Sequence, residues 1–413
     1  VAGPDSGENK LGGPIQHGGN LGRARKLFPQ APEPWIDLST GINPHSYPYS
    51  PIPANVFARL PEPVSLEGLK AVAAHAYGAP SAAHLAAGPG TQILLPIVAG
   101  LLDGWSPLAK TLSGLPAISP TRGEKTRGSH SSQSELGRSA RLSPPPWGEG
   151  GEGFLPEADE RPRTSEGADG THSTKPRRIA AVLSPTYAEH ARAARMAGFS
   201  VTETDDLETL AAADLAVIVN PNNPTGRIVP KADLLALADV MRAKGGLLIV
   251  DEAFMDVSEA ESVANAVDAG GLVVLRSFGK FYGMAGLRLG FALAHPDIIT
   301  RIEERLGPWA VSGPALHVAS EALADTAWQQ AMRKTLKAEA TRLDAALASA
   351  GLAVLGGTSL FRLVRDPRAQ ALYRHLGEHG ILTRRFEERP DDLRIGLPEA
   401  DGRARLEAAL KTF

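Results

Sequence analysis

Four short polar stretches carry the residue types that can do covalent chemistry. They are Ser277-Phe278-Gly279-Lys280 with Arg288 shortly after it, Asp251-Glu252-Ala253-Phe254, Asn220-Pro221-Asn222-Asn223-Pro224-Thr225-Gly226, and Gly88-Pro89-Gly90-Thr91-Gln92. A lysine on a glycine-flexed turn becomes a nucleophile once its ammonium is made easier to deprotonate. A lone Ser-x-x-Lys is more often a solvated loop, so the case rests on the other stretches. A nucleotide P-loop is excluded, because position 274 is Val274 and Phe281 stands where that motif needs Ser or Thr. The glycine turn before Thr91 opens an apolar segment, 93–102, and exposed amides at such a helix start can bind a phosphate.

These stretches need elements to bring them together. Apolar runs at 179–183, 215–219, 246–250, 272–275 and 289–293, with 200–202, read as strands. Helical spacing of apolar residues marks 65–77, 188–197 and 231–244. Continuous apolar strands alternating with amphipathic helices predict an α/β fold, with a mostly parallel sheet flanked by helices. Ligands of such sheets bind beyond the carboxyl ends of the strands, and the polar clusters follow those ends, Ser184 to Tyr187 included. Beyond residue 307, helices are expected at 314–325, 328–350 and 367–376, with short strands at 352–355, 359–364, 381–386 and 393–397. The expected division is 1–55 joining a small α+β part, 56–306 as the large part, and 307–413 completing the small one. His375 and His379 lie four apart but at a helix end between glycines, so a structural role is expected and no metal site.

Length and composition bound the remaining possibilities. The chain has 413 residues, enough for two domains, and its net charge of −3 gives no global pull toward nucleic acid or membrane. It has no cysteine, which removes disulfides, thiolate metal sites and cysteine nucleophiles. No apolar run is long enough to span a bilayer and the start lacks a secretory hydrophobic region, so a cytoplasmic protein is expected. Residues 109–177 differ in texture, being rich in Ser, Gly, Pro and Arg with little apolar periodicity. They read as a disordered insertion on the surface of the large part. Closing about seventy residues instead of about six costs only about 2 kcal/mol, because loop entropy grows with the logarithm of length. The fold is therefore expected to tolerate it.

Pyridoxal phosphate needs a lysine for its covalent link, an acid for its pyridinium charge and an anchored phosphate, and the polar clusters supply this set. Asn-Pro-x-x-Pro-Thr-Gly, Asp-Glu-Ala-Phe and Ser-Phe-Gly-Lys with Arg288 together resemble the fold-type I aminotransferase superfamily. Within it, His17-Gly-Gly-Asn20, Asp37-Leu-Ser-Thr-Gly-Ile-Asn-Pro44 and Ala87-Gly-Pro-Gly-Thr-Gln92 resemble the threonine-phosphate decarboxylase-like proteins of cobalamin biosynthesis, with histidinol-phosphate aminotransferases as close relatives. The resemblance implies Lys280 as the lysine carrying the cofactor, Asp251 at the ring nitrogen, Asn223 at the ring hydroxyl and Tyr187 stacked on the ring. Ser277, Arg288 and the Gly90, Thr91 and Gln92 amides would hold the phosphate. His17, Asn20, Gly41, Asn43, Arg384 and Arg394 would face the substrate. The implied reaction is decarboxylation of L-threonine O-3-phosphate to (R)-1-aminopropan-2-ol O-phosphate, with transamination as the alternative and an inactive scaffold as the reading from another class. A homodimer is implied, although Leu60 stands where relatives place a tyrosine reaching the neighbouring subunit. Phe254 likewise replaces a tyrosine that would reach the cofactor hydroxyl.

Overall fold

The computed structural model describes residues 18–102 and 178–413. His17 and the 109–177 insertion lie outside the described residues. Seven strands form the main sheet: β2 (Leu85–Gly88), β3 (Ile179–Leu183), β4 (Ser200–Thr204), β5 (Leu215–Val219), β6 (Leu247–Asp251), β7 (Leu272–Ser277) and β8 (Gly290–Ala294). β1 (Ile36–Asp37) precedes them in the chain and lies elsewhere. The sheet order is β2-β8-β7-β6-β5-β3-β4. All neighbours pair in parallel except β8, which runs antiparallel to both β2 and β7. The mostly parallel sheet expected from the apolar runs is present.

Successive side chains of a strand point to opposite faces, and the apolar runs fill both. Ala216, Ile218, Leu248, Val250 and Val274 join one buried cluster, whereas Val217, Ile249, Val273 and Leu275 join the other. A sheet covered on both faces can tolerate no polar alternation, which explains why β5 reads Leu-Ala-Val-Ile-Val.

A second sheet has the order β12-β13-β10-β9 and is antiparallel throughout. Its strands are β9 (Val354–Thr358), β10 (Phe361–Arg365), β12 (Arg384–Arg385) and β13 (Asp392–Gly396). β1 pairs in parallel with β11 (Ile381–Leu382), setting Ile36 opposite Ile381, so the early chain is tied to the late one by main-chain bonds. The apolar spacing did not predict the short helices Leu21–Leu27, Ala54–Ala58 and Leu207–Ala212, nor two longer ones. Pro296–Leu306 follows β8 directly, buries Ile298, Ile299 and Ile302 on one stripe, and is capped by His295. Ala400–Lys411 ends the chain and buries Leu406, Ala409 and Leu410.

β7 carries a buried positive charge. Arg276 of β7 is 4% exposed, donates to Glu252 Oε2 at 3.0 Å and to Asp256 Oδ1 at 2.5 Å, and lies 4.3 Å from the Tyr77 ring centroid. Glu252, fully buried, also accepts from Ser262 Oγ at 2.6 Å and Val263 N at 3.0 Å. Removing one partner of such a group leaves uncompensated buried charge. Arg276→Met is expected to cost about 3–5 kcal/mol in urea unfolding of the cofactor-free protein. A loss below about 1 kcal/mol, the range of exposed pairs, would show that the two carboxylates are satisfied without it.

Candidate active site

Asp251 is the last residue of β6, placed there because the apolar run ends one residue before it. Its carboxylate is 5% exposed and fully engaged. Oδ1 accepts from Ala253 N at 3.0 Å, and Oδ2 lies 2.9 Å from His190 Nε2. His190 sits on the helix Glu189–Met196, is buried, and its Nδ1 has no partner among the described groups. Sequence reasoning missed this histidine. The only available signal was its place three residues after Tyr187, with which it makes an edge contact at 6.0 Å between ring centroids.

Lys280 lies in the single turn Phe278–Phe281 that follows β7. Gly279 is required there, since a Cβ would come within 2.6 Å of Ala285 Cα. The lysine lines the cavity and is half-buried. Its amine is lowered to about 8, first by burial and then by the charge of Arg394; Asp251 opposes this and Arg288 adds to it. At pH 7.5 about a quarter of such amines are neutral, against about one in a thousand for an ordinary lysine. That is the activation a lysine nucleophile needs.

Next to it is a cationic pocket at a helix start. The helix Thr91–Ala99 begins after Gly90, whose φ is +91°. A Cβ on Gly90 would lie 2.7 Å from Arg288 Nη2, and one on Gly290 would lie 2.6 Å from Thr91 N. The two glycines thus allow the Arg288 guanidinium and the helix-start amides to converge. Thr91, Gln92, Ser277 and Arg288 all line the same cavity as Lys280 and Asp251. The Gln92 side chain is committed, accepting from Tyr187 OH at 3.1 Å and donating to Glu189 Oε2 at 2.5 Å. Burial, then the charges of Glu189 and Asp251, push the Tyr187 phenol up to about 12. Tyr187 therefore stays a neutral aromatic wall of the cavity.

The far end is also cationic. Arg384 and Arg394 are register partners on β12 and β13. Arg394 donates to Asn223 Oδ1 and, at 2.5 Å, to Ser39 O, while its buried Nε has no partner among the described groups. Burial, then neighbouring Arg384, lower Arg394 to about 10, and Asp37 opposes this. Arg384 is lowered as well, chiefly by burial, and its guanidinium lies 5.4 Å from the Phe386 ring centroid. Arg394 is held out of water with no carboxylate bonded to it among the described groups, whereas Arg288 is exposed at the helix start; the buried cation is the condition of a site awaiting anions.

Other expected site residues do not line this cavity. Asn20 caps the helix Leu21–Leu27, its Oδ1 accepting from Arg23 N at 2.9 Å. Gly41 packs on Phe254 and Phe361, and a Cβ there would lie 2.9 Å from the Phe254 ring. Asn43 is buried beneath the Lys280 turn, donating to Phe281 O at 2.7 Å. His375 and His379 spend ring nitrogens on the Ala409 and His375 carbonyls at 2.8 Å each.

The cavity of about 270 Å³ lies beyond the carboxyl ends of β5, β6 and β7. Its residues fit pyridoxal phosphate: a reactive amine, a fixed carboxylate, and a glycine-opened cradle of amides with a guanidinium. Because Lys280 is charged more readily unfolded than folded, it destabilises the cofactor-free fold in full below pH 8. That penalty fades as pH rises through the window from about 8 to the ordinary 10.5. Lys280→Met is therefore expected to melt above wild type at pH 7 in cofactor-free form, with the gap closing toward pH 10. A gap constant with pH would show that the amine is not desolvated.

Comparison with known proteins agrees with the fold. The class I and II aminotransferase family matches residues 166–411. A threonine-phosphate decarboxylase of Pseudomonas aeruginosa is 37% identical over 97% of this chain and 98% of its own length. One from a Sinorhizobium species is 36% identical over 97% and 98%. Among solved structures, histidinol-phosphate aminotransferase from Sinorhizobium meliloti in complex with pyridoxal-5'-phosphate superimposes with a TM-score of 0.67 at 18% identity, covering 99% of this chain and 98% of that one. With a family match over more than half the chain and relatives aligned nearly end to end, this chain belongs to the class I and II aminotransferase family.

Proposed function

We propose that the protein is a pyridoxal-phosphate-dependent decarboxylase of L-threonine O-3-phosphate, forming (R)-1-aminopropan-2-ol O-phosphate. The observation that carries this reading is a depressed Lys280 amine beside Asp251 in a cavity with guanidinium groups at both ends. One cationic end suits a cofactor phosphate, the other a substrate with anionic groups of its own. The two relatives matched over nearly their whole lengths favour decarboxylation over the histidinol-phosphate transamination of more partial relatives.

When bound, pyridoxal phosphate supplies an electron sink for the pair released as carbon dioxide departs. The chain's residues would do the rest. Arg288, Ser277 and the Gly90, Thr91 and Gln92 amides would hold the phosphate, and Tyr187 would cover one face of the ring. Asp251, oriented by His190 and Ala253 N, would keep a proton on the ring nitrogen. Asn223 would donate to the ring hydroxyl, with Phe254 leaving it unassisted. Arg384 and Arg394, with His17 assigned to the same end by resemblance, would set which substrate bond stands perpendicular to the ring. Lys280 would carry the cofactor through its neutral amine, and either Lys280, displaced by the substrate and protonated, or a water would return a proton to the substrate α-carbon. We read 56–306 as the cofactor-bearing part and 1–55 with 307–413 as the smaller part, a division supported by the β1–β11 pairing. A homodimer is supported by exposed Phe57, Leu60, Val64 and Trp309, of which Leu60 is 64% exposed and Trp309 58%. Among the described residues, no helix is long and apolar enough to cross a membrane.

Incubation with L-threonine O-3-phosphate and cofactor is expected to release carbon dioxide without keto-acid formation. Keto acid in place of carbon dioxide would transfer the reading to transamination, and neither product would favour an inactive scaffold. Asp251→Asn removes the charge that holds the ring proton while keeping the shape. Its loss should cost on the order of 3 kcal/mol in the barrier, about a hundredfold or more in turnover. Turnover within about twofold of wild type would remove Asp251 from that role.

A further inference from the structure

The turn that carries Lys280 is one helical turn long, and a helix end leaves its last carbonyls without intrahelical partners. Those carbonyls are collected by a single segment of the early chain. Asn43 N donates to Lys280 O at 2.9 Å, Asn43 Nδ2 to Phe281 O at 2.7 Å, Tyr47 N to Tyr282 O at 3.0 Å and Ser46 Oγ to Gly283 O at 2.9 Å. Four consecutive carbonyls, 280 to 283, are thus held in order. Asn43 holds two of them and is itself locked, its Oδ1 accepting from His45 N at 2.8 Å. The fit leaves no slack: a Cβ on Gly283, φ +65°, would lie 2.8 Å from Asn43 O and 3.0 Å from His45 O.

The segment is anchored at its back. His45 Nε2 lies 2.9 Å from Glu339 Oε2 on the helix Thr326–Ser349, and Glu339 Oε1 accepts from Arg403 of the last helix at 3.0 Å. Tyr47 OH donates to Asp325 at 3.2 Å. The Lys280 turn is therefore braced, through residues 43–47, against helices from the far end of the chain.

We infer that Asn43 is a positioning residue for Lys280: it fixes the turn so that the lysine amine stays inside the cavity instead of reaching toward water. This rests on Lys280 being the reactive lysine but not on the identity of the substrate. Asn43 does not line the cavity, and its side chain reaches the turn only through the Phe281 carbonyl, the bond to Lys280 O being made by its backbone N–H. The charged groups facing the amine are Arg394, Asp251 and Arg288, and none of them is bonded to Asn43.

The test reads the amine directly. In cofactor-free protein, Lys280 is labelled with acetic anhydride across a pH series, and its modified peptide is quantified by mass. Wild type should show a midpoint near 8. Asn43→Ala, which frees the Phe281 carbonyl while the backbone N–H of residue 43 still holds Lys280 O, should raise the midpoint by about one unit, equivalent to about a tenfold lower neutral fraction at pH 7. Asn43→Ser, too short to reach Phe281 O, should shift it the same way and serves if Asn43→Ala does not fold. Gln329→Ala provides the control: buried Gln329 donates to Ala322 O and Leu323 O and bonds to none of the 280–283 carbonyls, so the variant should lose stability with the midpoint unmoved. A folded Asn43 variant with a wild-type midpoint, or a control shifted equally, would overturn the assignment. If the midpoint moves as expected but wild type takes up no pyridoxal phosphate, the positioning role stands and the functional reading fails.

Discussion

An ammonium held out of water beside guanidinium groups is costly, and the arrangement around Lys280 depends on that cost being sustained. Burial and the charge of Arg394 push the amine toward its neutral form, while Asp251 alone among the named neighbours pulls the other way. A relaxed chain would let the lysine swing out and recover its hydration. The structure opposes this with a tight turn at Gly279 and a brace of early-chain donors under residues 280–283. Reactivity here is maintained by rigidity of the backbone more than by any single charge.

The two carboxylates next to one another in sequence meet opposite fates. Asp251 ends β6 and points its charge toward the cavity, oriented by His190 and Ala253 N. Glu252, one residue on, is turned into the protein and neutralised by Arg276, Ser262 and Val263 N. Strand alternation produces this split, because neighbouring side chains leave a strand on opposite sides. One carboxylate thereby lines the cavity, and the other is paired beneath it.

Cation placement follows the same economy of position. Arg288 reaches the helix start only because Gly90 and Gly290 lack a Cβ, and it holds a left-handed φ of 54° to do so. Arg394 is aligned by Asn223 and by the Ser39 carbonyl, linking the antiparallel sheet to the rim of the parallel one. The distance between the two cationic ends is set by two separate sheets. Neither local propensity nor charge pattern encodes it.

Much of the fold was legible because fully buried strands demand unbroken apolar runs, and β3, β5, β6 and β7 each show one. The site was legible in outline for the same reason, since the polar residues that follow those runs must emerge at one rim. Helices such as Pro296–Leu306 escaped notice, for their apolar stripe is narrow and abuts a strand without a loop. His190 was silent in the sequence because its role depends on meeting Asp251, 61 residues away. Asn43 read as a turn residue with a place in the substrate list, yet its amide meets Phe281, 238 residues on. The sequence alone determined which side chains are present and the strand ends from which they emerge. Only tertiary packing decided which groups desolvate one another, because burial and through-space charge depend on neighbours that chain order does not record.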